Sequence, residues 1–343
     1  MAKYACGCVL TILTIGLAFT IVGAGPDADQ SRVSSRLSLA VPLDCRLGET
    51  CWVANYVDVL SGPQAQDFHC QPRTNDGHDG TDFAIRDLDQ MYRGVVVLAA
   101  ESGMVRAVRN DMEDVLIEQQ SLDAIAGREC GNGLLIDHDG GWQTQYCHLQ
   151  RGTVRVHSGD RVARGSQLGL IGMSGKTEFP HLHFTVRHNG QTIDPFTGLK
   201  TETGCHSHEQ PLWSEGQRVF YEEAALYHIG FSDRVPRLLD IRHGQNDHQV
   251  LDHAVPTVIL WVDMFGVQKG DSITMRIIAP DNRVVLDHQQ IVEKTQARRF
   301  ISASTPSSSL PLPKGNYRGE IVLLRGAPTK AIIGQAEGSV RLQ

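Results

Sequence analysis

The sequence predicts a mainly β protein built from two unlike blocks, an antiparallel β-sheet domain followed by an immunoglobulin-like β-sandwich. Three observations predict it. Apolar runs of strand length recur between glycine- and aspartate-rich turns, no long stretch carries a helical apolar stripe, and 343 residues exceed one ordinary domain. Hydrophobic residues make up 41% and charged residues 21%, which suits a chain with real cores. The net charge of -7 argues against nucleic acid or an anionic membrane gripped by a basic surface.

Residues 1–25 differ from the rest. Lys3 precedes an apolar run from Val9 to Val22, which ends in Gly23, Ala24 and Gly25. A basic start, an apolar middle and small residues at the end read as a secretory signal, with Val22 and Ala24 before the cut. An uncleaved anchor is the alternative, because the run borders on spanning length. No other segment is long and apolar enough to cross a bilayer. The expected location is therefore periplasmic or extracellular, with no stable membrane span once the signal is removed. Residues 26–44 are polar and aperiodic and read as a linker.

From residue 45 to residue 200 the chain is rich in glycine and short apolar runs. Val95–Ala99, Met104–Val108, Leu134–Asp137, Thr144–His148, Leu168–Ile171 and Leu182–Val186 read as strands. Turns such as Asp139-Gly140-Gly141 and Ser158-Gly159-Asp160 separate them. The span 110–130 is poorly periodic and reads as a long loop. Residues 201–218 form a connection, and residues 219–343 carry the second block. There Thr257–Val262, Ser272–Ile278, Val284–Leu286, Phe300–Ala303, Tyr317–Leu324 and Ala331–Ile333 are strand-like, a spacing that suggests a sandwich.

Of eight cysteines, Cys6 and Cys8 fall in the leader, leaving Cys45, Cys51, Cys70, Cys130, Cys147 and Cys205. An even number in an exported chain favours disulfides. Cys130 opens one strand and Cys147 lies near the end of the next, so these two are the first expected pair. The other pairings stay open.

Four patterns carry the chemistry: His78-Asp79-Gly80-Thr81-Asp82, Tyr146-Cys147-His148-Leu149, Gly172-Met173-Ser174-Gly175 and Pro180-His181-Leu182-His183-Phe184. Strand alternation puts His181, His183, Thr185 and Arg187 on one face, and Leu182, Phe184 and Val186 on the other. It also puts Tyr146 and His148 together, and turns Phe83 and Ile85 away from Asp82. A catalytic zinc keeps three protein ligands and a water. Two imidazoles and a carboxylate leave a site of about +1 charge, and further imidazoles serve proton transfer and oxyanion stabilisation. Each pattern alone has a plainer explanation: a glycine-aspartate loop, surface histidines on a strand, a packed tyrosine.

Together, and in this order, they resemble the lysostaphin and LytM-type metallopeptidases, which cut peptide bonds in bacterial peptidoglycan. The likeness spans roughly residues 70–197. It also takes in Gly131-Asn132-Gly133, Asp137-His138 and Gly159-Asp160. The resemblance implies an antiparallel sheet with a central groove, the duplicated hybrid motif. It implies one zinc ion held by His78, Asp82 and His183, with His148 and His181 as catalytic residues. The implied partners are peptidoglycan peptides. Some relatives lose ligands and act as activators of other wall enzymes, which makes a non-catalytic wall-binding protein the competing expectation. The bond cleaved and the oligomeric state stay open.

The remaining histidines read as structural or as loop. His138 follows a strand, His157 precedes a glycine turn, and Cys205-His206-Ser207-His208-Glu209 lacks a second ligand pair. No H-E-x-x-H and no G-x-S-x-G occurs.

Overall fold

The computed structural model describes residues 36–205, 210–217, 219–245, 248–306, 311–326 and 330–343. The expected leader, residues 26–35 and the 206–209 cluster lie outside these. The first block contributes ten strands: β1 (Trp52–Asn55), β2 (Thr81–Ala84), β3 (Val96–Leu98), β4 (Gly103–Arg109), β5 (Asn132–Asp137), β6 (Trp142–Leu149), β7 (Arg161–Val162), β8 (Gln167–Leu170), β9 (His181–His188) and β10 (Gln191–Ile193). Eight of them form one antiparallel sheet in the order β1-β2-β9-β6-β5-β4-β7, with β10 on β9, and β3 pairs with β8 separately.

The expected alternation along β9 holds. Leu182, Phe184 and Val186 enter the core, where they join Phe83, Ile85 and Tyr146. Residues 36–44, expected as a linker, pack instead. Leu37, Leu39 and Leu43 are buried in the same core. The backbone of Leu43 bridges Val97, and that of Leu39 bridges Trp213. Leu37, Leu39, Val41 and Leu43 alternate along this stretch, and the polar residues before it hid that pattern. The 110–130 loop contains two single turns of helix, Ile117–Gln119 and Leu122–Ile125. Its Ile117 N–H donates to the Thr177 carbonyl at 3.0 Å, and Gln120 Nε2 to the Gly175 carbonyl at 2.8 Å, which ties the loop to the glycine-rich turn.

The second block holds β11 (Ala225–Ser232), β12 (Val250–Leu251), β13 (Ile259–Val267), β14 (Ser272–Ile278), β15 (Val284–Ile291), β16 (Gln296–Ser304), β17 (Gly315–Arg325) and β18 (Ala331–Leu342). They make two sheets, β11-β13-β16 and β12-β18-β17-β14-β15. Both sheets contribute to one core, with Phe231, Leu260, Val262 and Met264 from the first and Ile273, Met275, Tyr317 and Ile321 from the second. Residues 36–343 cluster as one compact unit. The two blocks meet at an apolar seam, where Trp52, Ala54 and Ala84 pack with Ala225, Tyr227 and Phe265.

Three disulfides join Cys45 to Cys51, Cys70 to Cys205 and Cys130 to Cys147. The last is the pair expected from the strand order. Cys205 is thereby removed from any metal cluster. No helix among the described residues is long and apolar enough to cross a membrane.

Candidate active site

The site is built on three adjacent strands. In the ladder between β2 and β9, Asp82 stands directly opposite His183, and Ala84 opposite His181. On the other side of β9, Cys147 of β6 stands opposite His183. This register brings together side chains 101 residues apart in the chain. His78 arrives from the turn before β2. Gly80 lets the turn lie close to β9, since a Cβ there would sit 2.6 Å from His183 Nε2.

Around Asp82 the donor atoms converge. His78 Nε2 lies 3.0 Å from Asp82 Oδ2, and His183 Nδ1 lies 2.9 Å from Asp82 Oδ1. One ligand atom from each of His78, Asp82 and His183 falls within 4.8 Å of the others. The opposite nitrogens are tied down. His78 Nδ1–H donates to the Tyr56 carbonyl at 2.7 Å, and His183 Nε2–H to Asp79 Oδ1 at 3.1 Å. Each imidazole therefore turns its other nitrogen to the centre, the orientation metal-binding histidines need. Asn55 Nδ2 donates to Asp82 Oδ2 at 2.8 Å. The donor set, two imidazoles and one carboxylate, fits a small borderline-soft cation.

The two remaining histidines are oriented in the same way. His181 Nδ1–H donates to the Phe179 carbonyl at 2.8 Å, leaving Nε2 3.4 Å from Asp82 Oδ1. His148 Nδ1–H donates to the Ser174 carbonyl at 2.8 Å. The His148 and His181 rings lie 4.7 Å apart. All five residues line one groove of about 620 Å³.

His148 reaches the groove by a route that alternation did not predict. Tyr146 points into the core and its hydroxyl accepts from the Ala100 N–H, whereas His148 faces the groove. Between the paired positions Asn132–Leu149 and Leu134–Tyr146, β6 has one residue more than β5. That is a β-bulge, and His148 sits in it with φ 63°. The expectation that Tyr146 and His148 share a face fails for this reason. A non-glycine residue there costs about 1–3 kcal/mol unless its surroundings enforce it. Here the bulge is pinned by the Cys130–Cys147 disulfide and by the His148 N–H, which donates to the Cys130 carbonyl at 2.8 Å.

The electrostatics favour a cation at the centre. Burial opposes ionisation of Asp82, yet the charges of His78 and His181 and hydrogen bonds from His181 and His183 outweigh it and hold the carboxyl well below its ordinary range. Burial also opposes ionisation of Asp79, and the His183 hydrogen bond and charge nevertheless bring it down to about 2. His183 loses basicity by burial but regains more from Asp79 and Asp82, rising to about 9. His148 is pushed well below its ordinary value, by burial first and then by His181 and His183. With no metal bound, a proton on His183 offsets one carboxylate and the Arg187 guanidinium the other.

Residues 76–195 match the profile of Peptidase family M23. They form an M23 peptidase domain. Over 117 residues the chain is 30% identical to the peptidoglycan DD-endopeptidase ShyA of Vibrio cholerae serotype O1, an overlap of 34% of this chain and 22% of that protein. It is 31% identical over 117 residues to ShyB of the same organism, with the same coverage of 34% and 22%. The chain thus spans about a fifth of the length of either relative. Among solved structures, a zinc containing peptidase from Vibrio cholerae is 27% identical, with 43% of this chain and 39% of that one covered and a TM-score of 0.27.

The M23 domain thus gathers all five residues singled out in the sequence. Other parts of the site were not anticipated. Asp79 lies inside the H-x-x-x-D step but reads there as a turn residue. Arg187 was placed on the right face, without a role. Its Nη2 donates to Asp79 Oδ2 at 2.7 Å and its Nη1 to Gln145 Oε1 at 2.6 Å. Asn55 lies 27 residues before Asp82, and nothing local marks it. His138 keeps away from the groove, bonded to the Ser102 carbonyl and Thr144 at 2.8 Å each, and His157 is exposed.

Proposed function

We propose that this chain is an exported zinc metalloendopeptidase that hydrolyses peptide bonds in peptidoglycan stem or cross-link peptides. The observation that carries the reading is the set of four imidazoles gathered with Asp82 in one groove, each with one nitrogen fixed by a carbonyl or by Asp79 and the other turned away from that anchor. His78, Asp82 and His183 would hold zinc, which supplies Lewis acidity enough to activate water near neutral pH and to polarise a carbonyl. His148, kept neutral by burial, accepts the proton of the attacking water. His181 donates from Nε2 to the developing oxyanion and later to the leaving amine. A family M23 domain and DD-endopeptidase relatives support the substrate class. Three disulfides fit an oxidising compartment reached through a signal at residues 1–25.

The second block fits an immunoglobulin-like sandwich by its strand order. A three-stranded sheet faces a five-stranded one, with the short β12 running parallel to the last strand.

The test is digestion of purified peptidoglycan by zinc-loaded protein, with mass analysis of the products. His183→Ala is expected to lose both zinc and cleavage. An active, zinc-loaded His183→Ala protein, or a zinc-loaded wild type that binds wall peptides and cleaves none, overturns the enzyme reading. The second outcome leaves a wall-binding or activator protein.

A further inference from the structure

The groove is not made by the peptidase domain alone. Phe265 of β13 and Ala297 and Arg298 of β16, all in the second block, line the same groove as the five histidine and aspartate residues. We propose that the second block forms one wall of the peptide groove, with Phe265 and Ala297 as specificity-determining residues and Arg298 as a positioning residue for His181. The inference rests on the peptidase reading and deepens it.

The contact runs through Phe179. Its carbonyl fixes His181 Nδ1, and its ring lies 4.7 Å from the His181 ring. The second block grips that ring from the other side. Phe265 packs on Phe179 at 5.5 Å, and the Arg298 guanidinium lies 5.4 Å above it. Arg298 is fixed in turn. It lies over Tyr227 at 5.2 Å and Phe265 at 5.6 Å, and its Nη2 donates to Asp263 Oδ2 at 2.7 Å. Asp263 is fully buried, so the pair is held rather than exchanging with water. A guanidinium clamped between three rings and a carboxylate is a rigid support. A module that only targeted or spaced the peptidase would have no need to place side chains in its groove. A peptide threading past His181 meets this wall, so the width at that end is set by the residue at 297.

Ala297 is exposed, and a larger side chain there enters the groove without disturbing a core. In the full zinc-loaded chain, Ala297→Trp is expected to keep the wild-type melting temperature and zinc content. Its KM for a cross-linked muropeptide should rise by about tenfold or more, with kcat largely kept. Arg298→Met paired with Asp263→Asn removes both buried charges together, which avoids stranding one of them. It should lower kcat with zinc content unchanged, the signature of a loosened His181. Wild-type kcat and KM in both variants overturns the wall. A variant that unfolds is replaced by Ala297→Glu, read in the same way. If the wild type holds no zinc and cleaves nothing, the peptidase reading fails first and the wall falls with it. Wild-type cleavage with unaltered kinetics in the variants fails the wall alone.

Discussion

The carboxylate of Asp79 lies 3.1 Å from Nε2 of His183, on the far side of the ring from Asp82. One imidazole thus spans two carboxylates. The outer one fixes the tautomer and adds electron density to the nitrogen that faces the centre. Arg187 holds that outer carboxylate in turn. Replacing Asp79 by Ala should therefore weaken zinc affinity by roughly 10–100-fold, the usual cost of losing a partner behind a ligand. Chelator competition measures it. Cleavage at saturating zinc should change much less, and an unchanged affinity would show that Asp79 is only a turn residue.

The raised basicity of His183 has a pH consequence. In the metal-free protein it holds its proton up to about pH 9. Zinc needs the lone pair on Nδ1, so binding at pH 7 must release a proton. Affinity should fall as pH falls, by about tenfold per unit below 9 while that one proton is displaced. Competition titrations at pH 6 and pH 8 check the slope. The same affinity at both would contradict it.

His148 and His181 should separate from the ligands in behaviour. His148→Ala and His181→Ala are expected to keep zinc and to lose kcat by roughly 10²–10⁴-fold. Zinc content by atomic absorption and rates on the same preparation decide the matter. Loss of zinc in either variant would make that residue a ligand.

A fourth expectation concerns the seam between the blocks. His228 is buried there against Trp261, with Nε2 unsatisfied and 3.8 Å from Asp87. Burial first, then Arg86 and Arg298, push it down to about 3. The folded chain therefore keeps it neutral, while the unfolded chain takes up a proton below about 6.5. Stability is complete above that value and is lost progressively as pH falls towards 3. His228→Phe should flatten the decline. Melting temperatures of both proteins at pH 7 and pH 5 test this, and parallel declines would assign the loss to other groups.

Much of this was legible in the sequence. Strand Ser272–Ile278 has the bounds its apolar alternation predicts, and His181 and His183 face the groove because period two leaves no other choice once Leu182 and Phe184 are buried. The same rule misplaced His148, because a bulge adds one residue and alternation cannot see it. Strand β11 was missed, since Tyr227 and His228 break its apolar pattern and both are spent on contacts within or near the seam. The groove contacts of Phe265 and Arg298 come from two strands of the second block, far along the chain from the motifs that mark the site, so no local pattern could announce them. Packing between distant segments decides such contacts, and spacing along the chain does not encode it.

The bulge at His148 also says which kind of sequence change the site tolerates least. A substitution removes one imidazole and leaves the frame standing. Deleting Cys147 would restore strict alternation with His148 still on the groove side and Leu149 still in the core, but it would remove the disulfide and the extra residue that set where the imidazole stands. The imidazole would then take the place of Cys147 opposite His183, about 3.4 Å along the strand, away from the Cys130 and Ser174 carbonyls that now fix it, with its sequence identity intact and its aim lost. For a chain of this type, a histidine that aligns by letter is evidence of activity only when the count of residues across that step is kept as well.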